Sequence, residues 1–182
     1  TLLVRHFALR AFDESDNDSE VSNDAVWTPR NAPLHIVKDI PPFKDNSIFE
    51  EFNDNSNGAG AYLFAGMTNG LNTAGVGKLR RALLAFAIAD SLHAGAVVDS
   101  VRLTVHISKV PDNTARATTL HRVTANWGEG ASDAGDPGGQ GTAAEPGDAT
   151  WFYRIYATES WTATGGDFIA TASAQTNFGV NN

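Results

Sequence analysis

A chain of 182 residues with 42% hydrophobic residues is long enough for one domain with its own core and an appendage, which excludes disorder throughout. Its 17 glycines and only 19% charged residues suit an all-β protein rich in turns. A formal net charge of −8, without a basic stripe, excludes nucleic acid as a partner, and the absence of cysteine removes disulfides and thiolate metal sites.

The chain opens on Thr1-Leu2-Leu3-Val4-Arg5-His6-Phe7-Ala8-Leu9-Arg10-Ala11-Phe12, an apolar-rich candidate strand. The residues after it are acidic and turn-forming for more than ten positions, so it has no hairpin partner at short range and reads as an arm. That run, residues 13–20, offers oxygen ligands at short spacing for Ca²⁺. It lacks the glycine that bends an EF-hand loop, and a solvated linker is the stronger reading. Within it Asn17-Asp18-Ser19 is a glycosylation sequon, with Asn17 the acceptor. Pro29, Pro33, Pro41 and Pro42 exclude a continuous helix over 28–43 and leave a short strand at Leu34-His35-Ile36-Val37. The expected division is an arm and linker over 1–43, with residues 1–12 as a candidate donor strand, and a β-sandwich over 44–182. An opening at Thr1, with neither Met nor a leader, reads as a processed chain, as a mature secreted protein or a trimmed piece would begin. No apolar run approaches the roughly 20 residues that span a bilayer.

From Lys44 onward, strand signals recur at 47–50, 61–65, 82–88, 97–110, 118–124, 151–156 and 168–176, separated mostly by Gly, Asn and Asp clusters. Residues 81–89 have helix propensity. The alternation of Leu83, Ala85 and Ala87 with Leu84, Phe86 and Ile88 instead favours a strand buried on both faces. Val101-Arg102-Leu103-Thr104-Val105-His106-Ile107-Ser108 alternates strictly. Val101, Leu103, Val105 and Ile107 are therefore expected inward and the residues between them outward, which makes Leu103 a core residue. Residues 128–147, rich in Gly, Ala and Asp, are expected to form a long surface loop.

Several pieces resemble the DNRLRE-type secreted bacterial jelly-roll modules. They are Lys44-Asp45-Asn46-Ser47-Ile48-Phe49-Glu50, Arg80-Arg81-Ala82-Leu83-Leu84-Ala85-Phe86, Leu120-His121-Arg122-Val123, Trp127-Gly128-Glu129-Gly130, Asp148-Ala149-Thr150-Trp151, and Trp161 with Gly165-Gly166-Asp167-Phe168. The resemblance covers most of 44–176 and implies an antiparallel jelly-roll β-sandwich, a secreted or cell-surface setting and no catalytic signature. Some similar modules bind polysaccharide. The family's modules continue past the position of Ser173 and do not generally need an arm, so a sandwich short of one strand, with an open edge, is expected here.

The chemistry is sparse. His6, His35, His93, His106 and His121 show no metal-ligand spacing. Of the four tryptophans, Trp151 and Trp161 read as core plugs. Trp27 has no assigned role, and Trp127, among loop glycines, is the candidate platform for a sugar ring. Glu129, Asp133, Asp136, Glu145 and Asp148 lie in or beside the same loop, but flexible loop acids without fixed geometry make a poor glycosidase pair. The reading that follows is a non-catalytic extracellular structural protein. It is a subunit of a fibre or filament in which Leu2, Val4, Phe7 and Leu9 of one copy dock on the next, with no cofactor and no metal. The alternative is a carbohydrate-binding module acting through Trp127.

Overall fold

The computed structural model describes residues 5–7, 25–27, 36–71, 73–112 and 114–178, and the chain divides into two compact units, Thr1–Lys38 and Asp39–Asn182. In the first unit β1 (Arg5–Phe7) pairs antiparallel with β2 (Ala25–Trp27), Arg5 opposite Trp27 and Phe7 opposite Ala25. The arm strand thus has a partner within its own unit, beyond the acidic run. Ile36 and Val37, expected in a short strand, are exposed and outside any strand.

The second unit is all-β apart from one turn of helix. Its elements are β3 (Pro42–Phe49), β4 (Asn55–Ser56), β5 (Gly66–Leu71), β6 (Gly77–Phe86), α1 (Ile88–Ser91), β7 (Arg116–Leu120), β8 (Thr142–Ala143), β9 (Tyr153–Ile155), β10 (Glu159–Ser160) and β11 (Ala174–Phe178). Every pairing is antiparallel. The sheets are small: β3-β6-β5 has three strands, and β4-β8, β9-β10 and β7-β11 have two each. β3 already begins at Pro42, inside the stretch that the sequence assigns to the arm, and the expected strand at 61–65 is replaced by coil leading into β5.

β6 shows how packing overrides local propensity. Leu, Arg and Ala favour a helix, yet the segment lies between two strands and uses both faces. On one face Leu83 is buried beside Ile48, Trp127, Ala149, Trp151 and Trp161, with Leu79 and Ala85 packed against them. Arg81 shares that face because its guanidinium lies over two rings, 4.9 Å from Trp151 and 4.8 Å from Phe168, where an aromatic surface accepts a cation. On the other face Phe49 meets Phe64 at 6.2 Å, and Arg80 covers Phe49 while pairing with Glu51. Trp151 and Trp161 are the core plugs expected of them, 7% and 5% exposed.

Residues 97–110 depart from expectation. They form no strand, and Val101, Leu103, Val105 and Ile107 are 84%, 39%, 47% and 41% exposed. Period-two alternation marks a strand with one apolar face but does not say which surface covers it. The core beside β3 and β6 is instead built with Trp127, Trp151 and Trp161. Leu103 is therefore no core residue. Leu103→Ala is expected to change the unfolding free energy of the dilute protein by no more than about 0.5 kcal/mol, read from urea denaturation.

Candidate functional site

Asparagine is disfavoured inside strands, and β3 places one at its centre. Asn46 is fully buried on the core face and uses both ends of its amide. Its Nδ2 donates to Ser56 Oγ at 2.8 Å, to the Glu129 carbonyl at 2.8 Å and more weakly to the Ala149 carbonyl at 3.4 Å. Its Oδ1 accepts from the Ser47 and Asn57 backbone N–H groups at 2.6 and 3.1 Å and from Ser56 Oγ at 3.0 Å. One side chain thus holds β3, the turn after β4 and two separate stretches of the loop region.

The neighbouring polar groups work the same way. Asn57 donates through Nδ2 to the Tyr62 carbonyl at 2.9 Å and accepts from the Ala134 N–H at 2.9 Å. Asp148, fully buried, accepts from the Glu145 N–H at 2.6 Å and the Ser132 N–H at 3.4 Å. Thr150 Oγ1 caps the turn into β9 by accepting from Phe152 and Tyr153, and its carbonyl takes the Trp161 indole N–H at 2.9 Å. Glycine is obligatory at two points. A Cβ on Gly130, at φ +77°, would lie 1.5 Å from Asp148 Oδ1, and one on Gly128 would lie 1.8 Å from the Gly147 carbonyl. The segment 128–147 is thus clamped at its base rather than being a free loop.

At the rim of this hub, Lys44 donates to Asn126 Oδ1 at 3.0 Å and to the Trp127 carbonyl, with its ammonium 4.3 Å from the centre of the Trp127 ring. Burial lowers the Lys44 pKa, opposed by the Glu129 charge. Glu129 Oε1 accepts the Asp45 N–H at 2.9 Å. Burial first, and then the Glu129 charge, raise the Asp45 pKa. The folded chain therefore holds this proton to higher pH than the unfolded chain, and stability falls as pH rises through the raised value. Asp45→Asn is expected to raise the urea midpoint at pH 7 and leave it unchanged at pH 3, where Asp45 is protonated in both states.

Trp127 is only 4% exposed and sits in the core cluster. Its ring offers no open face to a sugar, which corrects its assignment as a stacking platform. Three of the loop acids are also committed, Asp148 and Glu129 to backbone N–H groups and Asp133 to the Gly135 N–H at 2.8 Å. His121 bonds the Ile169 carbonyl and Thr119 Oγ1, both at 2.9 Å, and rests edge-on against Phe168, whereas His106 is exposed. Among the described residues no three His, Asp or Glu side chains gather as a metal site requires, and no helix is long and apolar enough to cross a membrane. A shallow depression beside Thr124, Thr162 and Phe168 contains one carboxylate, Asp167. That carboxylate is used up in accepting the Thr162 and Ala163 N–H groups at 3.0 and 2.9 Å, bonds that lower its pKa.

Comparisons with protein-family models, curated proteins and solved structures find no match for this chain. Among the described residues, the remaining feature able to act on another molecule is the strip 101–110. Among the described residues its backbone makes no hydrogen bond, and its apolar side chains stand in water. Sequence reasoning found these residues but placed them inside. It missed Asn46, whose position within a strand was the available signal. Of the expected arm residues, Phe7 lies in β1, and Leu2, Val4 and Leu9 lie outside the described residues, as does Asn17.

Proposed function

We propose that the chain is a non-catalytic structural module of an extracellular or cell-surface protein, whose copies join by pairing exposed strands. The observation that carries this reading is the strip 101–110, amphipathic in sequence, exposed and without backbone partners among the described residues. Exposed β-segments of this kind template pairing with another chain, and contiguous exposed apolar residues mark interaction surfaces. The resemblance to DNRLRE-type jelly-roll modules supports the extracellular setting, and we include in the proposal a two-layer sandwich as the framework. A filament needs two joints per subunit. The strip supplies one, and the arm strand with Leu2, Val4, Phe7 and Leu9 is proposed for the other. The carbohydrate-binding alternative loses its support with the burial of Trp127.

Sedimentation velocity over a concentration series, with negative-stain imaging of the concentrated samples, tests the reading. The intact protein is expected to grow with concentration into pairs and then fibres. Val105→Lys is expected to abolish the pairs formed through the strip and leave only association through the arm, and deletion of residues 1–12 to leave folded pairs without fibres. An intact protein that stays monomeric at every concentration overturns the proposal.

A further inference from the structure

We infer that the strip pairs with the same strip of a second copy, antiparallel, about a two-fold axis through Thr104; this rests on the reading that copies join by strand pairing. Residues directly opposite each other in an antiparallel pair share a face, so the register decides which side chains meet. With the axis at Thr104, Leu103 lies opposite Val105 and Val101 opposite Ile107, and all four apolar residues meet apolar partners. On the other face Thr104 meets its own copy and Arg102 meets His106. Farther out Lys109 lies opposite Asp99, a complementary charge pair that symmetry supplies twice.

No neighbouring axis does this. An axis at Leu103 sets Ile107 against Asp99, one at Val105 sets Val101 against Lys109, and one at Arg102 sets Val105 against Asp99. An axis between two residues sets Leu103 and Val105 against polar side chains. The self-complementary register is thus a property of this one stretch of sequence, and the backbone that would use it is unpaired among the described residues over 101–110. A two-fold joint of this kind is isologous, contributing the same patch from each copy, and closes after two subunits. That is why a second joint is required for a filament.

The chain contains no cysteine, so single-cysteine variants report contacts without background. The test is oxidation by glutathione disulfide of Thr104→Cys, with Val101→Cys as the exposed control, at concentrations where the intact protein associates. Opposed residues of an antiparallel pair meet the spacing a disulfide needs, so Thr104→Cys is expected to form a covalent dimer at least about tenfold faster than Val101→Cys. A mixture of Arg102→Cys and His106→Cys is expected to cross-link faster than either variant alone. Equal rates for Thr104→Cys and Val101→Cys in a protein that still self-associates overturn this register and leave strand pairing in place. Absence of self-association overturns both, and the strip then serves a foreign strand or none.

Discussion

Asn46→Ala is expected to cost about 3 to 5 kcal/mol of unfolding free energy, the largest effect of any polar substitution in the second unit. The amide satisfies two backbone N–H groups, a hydroxyl and a carbonyl at full hydrogen-bond distance in a fully buried position. Each such group left without a partner costs about 1 to 3 kcal/mol, and water entering the small space recovers part of the loss. Against a typical stability of about 5 to 15 kcal/mol, this brings the unit to the margin of folding. Urea denaturation measures it. Asn55→Ala, which loses one exposed bond to the Gln140 carbonyl, provides the comparison and is expected to cost less than about 1 kcal/mol.

Trp127→Ala is expected to cost about 3 to 5 kcal/mol, the range for truncating a buried aromatic. The ring is shared between the core cluster and the Lys44 ammonium, so its removal opens a cavity and strips a partly buried cation of its aromatic cover. A sugar platform would behave in the opposite way, losing retention on polysaccharide with an unchanged melting temperature. The two readings of Trp127 therefore separate in a single thermal melt.

The contrast between what was legible and what was not follows from what each sequence signal encodes. β6 could be read because a central strand shows apolar residues on both faces, whereas only the 47–50 end of β3 could be read, since Lys44, Asp45 and Asn46 carry no apolar pattern. Trp151 and Trp161 could be read because large aromatics dominate the area that a small β-core buries. Sequence alone misplaces Trp127 because its neighbouring glycines suggest an exposed loop. Gly128 and Gly130 instead mark close approach, to the Gly147 backbone and to Asp148. Asn46, Asn57 and Asp148 were invisible as a group, since their partners lie up to about a hundred positions away and polar residues carry no periodicity to reveal them. The strip 101–110 was legible as amphipathic and illegible as exposed and unpaired, because alternation specifies a face and leaves its partner unspecified.

Amide hydrogen exchange across residues 101–110, followed in the dilute monomer and again after concentration, tests the central claim most directly. The account predicts near-unprotected exchange throughout the strip in dilute solution, slowing when copies associate, while the amides of β3 and β6 are protected in both. Strong protection of residues 101–110 in the dilute monomer would contradict it, because the strip would then already be paired within its own chain and unavailable to another.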